Sequence, residues 1–348
     1  MKRTTKAISE QVKDHSESEI AEVNEYEGNT EVMISTGSTL LDMAISGGRV
    51  EGGGLPGGIL VEVAGPSGSA KTVLLCEIAG SVQRQGGKVQ FKDPESRLNK
   101  QFARIFDLQP DEMDYSIPDT VPELFEPIRE WEPEPKGVIH GIFGDSLAAL
   151  STKLEMEEGG DKFGMRRAKE FSEECRKTCR IITQRNFLMV CSNQVRQNKD
   201  AGMYGQKYVS PGGEAIGFYS SIRLRTSTPT KLKKLKKIKG KDVKRVEGIQ
   251  TTIEVVKSSV WKPYRTAPIY VLFDYGIDDV RANLIFLRDT LGTKEYTVNG
   301  IALGKRIDEA IQAVETDDME KQLKTETIAL WHELESKFTV DRKKKQRV

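Results

Sequence analysis

Apolar and polar residues follow two rhythms along this chain. Short apolar runs at 59–64, 88–92, 137–144 and 187–192 alternate with longer stretches at 72–85, 99–106, 121–130 and 165–185, where apolar residues recur at helical spacing. The short runs read as strands and the long stretches as helices. Their alternation predicts an α/β fold built on a mainly parallel, twisted sheet with right-handed crossovers. Strand candidates at 220–226, 249–257 and 268–273 follow with little helix between them, so antiparallel neighbours are expected there. Helical periodicity returns at 279–291 and 304–337. The pattern predicts three parts: an N-terminal segment 1–31, a globular core 32–275, and a small helical region 276–348. The first carries a short helix with Ile8, Val12, Ile20 and Val23 on one side and serves as linker or oligomerisation arm. The last ends in a basic tail from Arg342 to Arg347.

Composition narrows the class. The 348 residues are 37% hydrophobic, enough for a substantial core, and 30% charged. The net charge of +1 gives no global field toward nucleic acid or membrane, so only local patches could act. No run of about 18 apolar residues predicts a membrane-spanning helix. The N-terminus lacks the apolar region of a secretory signal, and a cytoplasmic location is expected. The four cysteines (Cys76, Cys175, Cys179, Cys191) fall in apolar or helical patterns and read as reduced thiols. Cys175 and Cys179 stand one helical turn apart without a second pair, and histidine occurs only at His15, His140 and His332, which argues against zinc or histidine metal chemistry.

The most informative stretch is Gly65-Pro66-Ser67-Gly68-Ser69-Ala70-Lys71-Thr72. It follows a predicted strand and opens a predicted helix. Such a turn cradles phosphates with backbone N–H groups and a helix N-terminus. Lys71 would reach the outer phosphates of a nucleoside triphosphate, and the Thr72 hydroxyl would ligate Mg²⁺. The loop departs from the usual pattern at its second glycine, which is Ala70. A plain Gly/Ser turn is the alternative; the Lys-Thr pair at the correct offset outweighs it. Asp145, at the end of the 137–144 strand, would hold Mg²⁺ through water; an ordinary helix N-cap is the competing reading. Glu95, just beyond the 88–92 strand, could orient or deprotonate an attacking water, or be a surface turn acid. Gln194 ends the 187–192 strand, where a neutral amide can sense a terminal phosphate. The segment 195–213 carries Lys199 and Lys207 beside Tyr204 and Tyr208, a mixture suited to single-stranded nucleic acid and equally found in surface loops. The run Lys231 to Lys241 reads as a protruding hairpin or short helix facing a phosphate backbone, or as a solvated basic turn.

These segments together resemble the RecA recombinase family. The resemblance rests on Ile34 to Asp42, Gly53 to Gly58, Gly65 to Thr72, Phe91-Lys92-Asp93-Pro94-Glu95, Gly144 to Leu150, Ser192 to Arg196, Gly212 to Ala215, Phe218 to Leu224 and Val255 to Lys257. Their order and spacing cover about residues 32–275, and the linked set is far more specific than the phosphate loop alone. It implies a RecA-type P-loop ATPase core that binds ATP with Mg²⁺, polymerises into helical filaments on single-stranded DNA, and pairs that strand with homologous duplex DNA. It implies that Glu95 is the catalytic glutamate, with Lys71 and Gln194 acting on the phosphates. Gln194 matches the residue that couples the γ-phosphate to a second DNA loop at about 195–213, where Arg196, Lys199, Tyr204, Lys207, Gly212 and Gly213 would meet DNA. A first DNA loop at about 155–168 would offer Phe163 or Met165 as a wedge, with Lys169 and Arg176 as phosphate contacts. Phe102 matches an aromatic that stacks on adenine. Lys257 matches a lysine reaching a neighbouring subunit's nucleotide, and Phe218 belongs to that interface.

The chain departs from the family's pattern at Ala70, at Ser259 and Gly217 (lysines in the family), in its basic rather than acidic tail, and in the Lys-rich insertion 231–245. Divergence of this kind resembles phage-encoded members or a bacterial paralogue. Fewer trans-acting cations favour an alternative function, a non-exchanging DNA-binding or assembly factor that uses ATP structurally. Intact Lys71, Thr72, Glu95, Asp145 and Gln194 oppose it. A hexameric helicase motor is disfavoured by the Gly212-Gly213 match and the lack of a helicase-type N-terminal domain.

Overall fold

The computed structural model describes residues 31–342 apart from Arg49, Glu51, Asp107 and the segments 153–163, 198–207 and 210–214. The expected N-terminal helix and the end of the basic tail therefore lie outside the described residues. In chain order the core runs through α1 (Thr39–Ser46), β1 (Ile59–Gly65), α2 (Lys71–Arg84), β2 (Val89–Lys92), α3 (Lys100–Ile105) and β3 (Met113–Ser116). It continues through α4 (Val121–Glu130), β4 (His140–Gly144), α5 (Gly164–Gln184), β5 (Phe187–Gln194), α6 (Ala215–Tyr219) and β6 (Ile222–Thr226). Four more strands complete the sheet: β7 (Thr230–Ile238), β8 (Lys241–Ser258), β9 (Thr266–Leu272) and β10 (Gly276–Ile277). The C-terminal region comprises α7 (Asp279–Leu291), β11 (Tyr296–Val298), β12 (Ile301–Gly304), α8 (Ile307–Thr316) and α9 (Glu320–Lys337).

Among the described residues the sheet has ten strands, in the order β10-β9-β8-β6-β1-β5-β4-β2-β3, with β7 paired to β8 outside that path. The six strands from β6 to β3 in that order are mutually parallel. The later strands join antiparallel, as their close succession in sequence predicts. Successive residues of a strand face opposite sides, and both sides of this sheet are covered. Val61, Val63, Leu188, Val190 and Phe91 pack with α1 and α2 on one side. Leu60, Ile142, Phe187, Met189 and Cys191 pack with α4 and α5 on the other. All four cysteines are free thiols.

Three local outcomes differ from or sharpen the sequence expectations. β3 is not foreshadowed by the pattern, because its residues form no apolar run: Asp114 and Tyr115 are exposed, and the strand exists through its pairing with β2. The stretch 304–337 is two helices rather than one, preceded by the hairpin β11–β12. That hairpin turns at Asn299-Gly300, with φ of 49° and 77°. Positive φ at both central residues is what a two-residue type I′ turn demands, and Asn-Gly supplies it at low cost. The Lys-rich run is a hairpin and not a helix. Its turn is Lys239-Gly240, again with both φ positive (47° and 80°).

The C-terminal helices dock back on the core. Glu335 of α9 accepts two hydrogen bonds from Arg265, at 2.6 and 2.9 Å. Trp331 packs against Trp261 with ring centroids 5.2 Å apart. Among the described residues no helix is long and apolar enough to cross a membrane.

Candidate active site

Parallel strands in an open sheet direct their carboxyl ends to one edge, and ligands bind in the crevice beyond it. Here β1, β2, β4 and β5 deliver to that edge the loop 66–70, the turn Asp93–Arg97, Asp145-Ser146 and Ser192–Gln194. From these segments residues 67–70, Glu95, Arg97, Asp145, Ser146 and Gln194, together with Phe102, line a cleft of about 310 Å³. The structure thus gathers Lys71, Thr72, Glu95, Phe102, Asp145 and Gln194, which come from three separate strand ends and two helices, into one space.

The loop's shape comes from its small residues. Gly68 has φ of 71° with open space where a Cβ would stand. A Cβ on Gly65 would lie 1.7 Å from Thr226 Oγ1, so only glycine lets β6 approach. That approach brings Thr226 within 2.6 Å of Ser69 Oγ, which also donates to Pro66 O at 2.7 Å. Ala70 occupies the left-handed region (φ 66°, ψ 21°). An L-residue there costs about 1–2 kcal/mol. The loop therefore keeps the backbone a glycine would favour, held by its surroundings.

Lys71 opens α2, and its ammonium donates to Gly65 O at 3.1 Å and Pro66 O at 2.8 Å. Burial pushes its pKa below the ordinary lysine value, while the charges of Asp145 and Glu95 pull it back up. Thr72 Oγ1 donates to Asp145 Oδ2 at 2.5 Å, and Ser192 Oγ donates to Asp145 Oδ1. Burial holds the Asp145 carboxyl above the usual carboxylate range; its two hydroxyl partners act in the opposite sense, and the charges of Asp93 and Glu95 reinforce the rise. Asp145 caps no helix with its side chain: a short turn at Leu147–Ala149 follows it, without a side-chain cap.

Glu95 is held from three directions. Its Oε1 accepts from Ser146 Oγ at 3.0 Å and from Gln194 Nε2 at 3.3 Å, and its Oε2 pairs with Arg97 at 2.7 Å. Asp93 shapes the turn that presents it. The Asp93 Oδ2 accepts from the backbone N–H of Arg97 and Leu98 and from Tyr115 Oη, at 2.8, 2.7 and 2.9 Å. Sequence reasoning does not assign Arg97, Ser146 or Ser192. Each stands within two residues of an assigned one, and that adjacency is the only signal. Phe102 is half-exposed, meets Phe106 edge-on at 4.7 Å, and forms an apolar wall with Ile249, Val271 and Phe273.

The residues fit a triphosphate with a hard divalent ion. The first N–H groups of α2 have no intrahelical acceptor, and the loop presents them beside the Lys71 ammonium. Thr72 and Asp145 bring hydroxyl and carboxylate oxygens, the donor types Mg²⁺ prefers, into contact with each other. The Phe102 wall suits a flat apolar base.

The other predicted residues lie elsewhere. Lys257 on β8 stands outside this cleft and donates to Gly217 O and Phe218 O, at 2.9 and 2.8 Å. Phe218 is 76% exposed. Lys169 and Arg176 are exposed along α5, and Met165 is its second residue. Arg196 pairs with Val209 in a two-stranded ladder that flanks 198–207. Phe163, Lys199, Tyr204, Lys207, Gly212 and Gly213 lie outside the described residues.

Comparison with known proteins agrees with this geometry. The family model of the RecA N-terminal domain matches residues 2–278. The chain is 32% identical over 302 residues to Protein RecA of Ehrlichia canis (strain Jake), covering 84% of this chain and 80% of that protein. It is 30% identical over 306 residues to Protein RecA of Thermus thermophilus, covering 85% and 84%. With Protein RecA of Anaplasma marginale (strain Florida) it shares 35% identity over 245 residues, 70% of this chain and 64% of that protein. The linked motifs, the parallel sheet with its phosphate loop and these extended similarities lead to one assignment: the chain belongs to the RecA family.

Proposed function

We propose that this protein is an ATP-dependent homologous recombinase: it assembles on single-stranded DNA, pairs that strand with homologous duplex, and hydrolyses ATP in a DNA-stimulated reaction. The observation that carries this reading is the contact between Gln194 and Glu95 at the mouth of the phosphate loop. It joins the end of β5, from which 195–214 departs toward α6, to the carboxylate best placed to act on water.

Mg²⁺-bound ATP supplies the transferable phosphoryl group and a counter-charge for the oxygens around it. The backbone N–H groups of the loop and Lys71 bind and orient the phosphates. Thr72 and Asp145 would hold the ion. Ser146 keeps hold of Glu95 Oε1, which leaves Oε2 to take a proton from water once Arg97 swings away. Arg97 has room to do so, since its side chain is 79% exposed. With a terminal phosphate in the cleft, Gln194 would give up its bond to Glu95 for one to the phosphate and so pass nucleotide state to β5. On the DNA side, Lys169 and Arg176 on α5 and the residues of 195–213 meet the strand. The β7–β8 hairpin adds Lys234, Lys236, Lys241 and Arg245 on one face, as cross-strand pairs and alternate positions share a face. A cytoplasmic, filament-forming protein is part of the same reading.

One observation favours a second reading, a DNA-binding assembly factor that keeps ATP as a structural bridge. Lys257 is engaged with its own chain's carbonyls, and the neighbouring positions Gly217 and Ser259 carry no charge. Electron microscopy with single-stranded DNA and a slowly hydrolysed ATP analogue, paired with a hydrolysis assay, separates them. The recombinase forms helical filaments and its ATPase rises sharply with DNA. Filaments with a flat ATPase favour the bridge, and isolated particles reject both.

A further inference from the structure

Glu62 lies in the middle of β1, wholly inaccessible to solvent, in the apolar run that leads to the phosphate loop. A buried carboxylate is costly unless its oxygens are bonded. Both are. Oε1 accepts from Asn193 Nδ2 at 3.0 Å, and Oε2 accepts from Arg223 Nε at 2.6 Å.

The two partners lead in opposite directions. Asn193 is 1% exposed and immediately precedes Gln194, whose side chain is bonded to Glu95 in the cleft. Arg223 on β6 passes directly over α6: a Cβ on Gly217 would lie 2.7 Å from its guanidinium carbon. The bare glycine makes room for the arginine to reach Glu62. α6 in turn is tied to β8, because the Gly217 and Phe218 carbonyls accept from Lys257 Nζ. Burial and the Arg223 charge hold the Lys257 ammonium below its usual value, and Glu62 opposes them, so this lysine feels the buried pair. Bonded side chains therefore run from Asn193 through Glu62 to Arg223, which passes over α6, whose carbonyls Lys257 holds; at the cleft end Asn193 joins Gln194 through the backbone of β5. This path joins the nucleotide cleft to the exposed Phe218 face.

We infer that Glu62 is a positioning residue: it couples the state of Gln194 in the cleft to the placement of α6 and Lys257, and so links nucleotide binding to DNA-dependent assembly. This inference rests on the function proposed above. Coupling between two ligands is reciprocal and is read as a ratio of affinities. The experiment measures affinity for a fluorescent ATP analogue with and without an oligo(dT) strand, in the full-length protein and in Glu62→Gln and Arg223→Met. In the wild type the strand is expected to tighten nucleotide binding by about tenfold or more, within the usual range of coupling. In either variant the ratio should fall toward one, with DNA-free affinity within about threefold of wild type, and the double variant should lose no more than each single one. Glu62→Gln buries no unpaired charge and leaves the partly exposed Arg223 within reach of water, so it retains a folded protein even if Arg223→Met, which strands the buried Glu62 carboxylate, does not; a thermal melt checks both. A wild-type ratio preserved in Glu62→Gln overturns the inference. So does an affinity loss equal with and without DNA, which marks a merely structural role. A wild type with no DNA effect at all overturns the proposed function and the inference together.

Discussion

Replacing Glu95 by glutamine removes one proton acceptor and almost nothing else. The amide oxygen can still accept from Ser146 and Gln194, now at 3.0 and 3.3 Å from Oε1. The amide nitrogen faces Arg97, and that pair is lost. Because the Arg97 side chain is 79% exposed, it moves into water, and its loss costs about 0–1 kcal/mol of stability. Loss of a positioned general base, in contrast, slows a reaction by about 10²–10⁴-fold. That corresponds to about 3–5 kcal/mol of barrier at about 1.4 kcal/mol per tenfold. Glu95→Gln should therefore melt within a few degrees of wild type and bind a fluorescent ATP analogue with similar affinity. It should hydrolyse ATP at least about a hundredfold more slowly in saturating single-stranded DNA. The assays are a thermal melt, an equilibrium titration and steady-state phosphate release. A turnover within about tenfold of wild type would refute the role of base, since a positioned base contributes more than that. Loss of nucleotide binding would refute the assignment of Glu95 to proton transfer rather than to phosphate binding.

Three further outcomes are expected. Gly65→Ala places a Cβ against Thr226 Oγ1 and should cost about 1–3 kcal/mol of stability, partly recovered in the double variant with Thr226→Ala, as urea unfolding would measure. The wholly buried Asp42, which accepts from Ser35 and Thr36, has its pKa pushed up to about 6 by burial. Its folded-state pKa exceeds the unfolded one, so its contribution is present at low pH and is lost as pH rises through about 6. The stability of wild type relative to Asp42→Asn should therefore fall by about 1 kcal/mol between about pH 5 and 7, and a flat difference would contradict the shift. Alanine at Lys234, Lys236 and Lys241 should weaken DNA binding and lower the magnitude of the log–log salt slope by up to about 2, at about 0.7 per phosphate contact with a single strand. An unchanged slope would make the hairpin a bystander.

Much of the core was legible because its elements are long and strongly periodic. The strands at 59–64 and 187–192 and the helices at 72–85, 121–130 and 165–185 appear close to those bounds. What escaped was set by pairing rather than pattern. β3 has two exposed polar-tipped residues in four and no apolar run, and only β2 makes it a strand. Two positive-φ pairs, Asn299-Gly300 and Lys239-Gly240, decided the hairpins; the first was a signal in the sequence that the helical periodicity around it obscured. In the cleft, the acids and the lysine could be read because strand ends predict where side chains converge. Arg97 could not, since its approach to Glu95 depends on the Asp93 turn. Glu62 shows the same limit. A lone acid in an apolar strand is visible in sequence, but its partners lie 131 and 161 residues away.

Three single-residue departures from the family's pattern, Ala70, Gly217 and Ser259, have distinct physical consequences. Ala70 leaves the loop's conformation intact, with a modest strain set against Ser69–Thr226 and Lys71 contacts that hold it in place. Gly217 is tied to Arg223: a longer side chain there would occupy the space through which the arginine reaches Glu62. Ser259 is exposed and contributes a backbone bond to Ser221 O at 2.9 Å, which any residue but proline would make. None of the three removes a group that lines the cleft. Two of them instead reshape the α6–β8 face, taking charge off its surface while seating Arg223 on a buried carboxylate beneath it. A site complete on the cleft side and altered on the α6 side should retain nucleotide readily and differ from its relatives in how that nucleotide is felt by a neighbour.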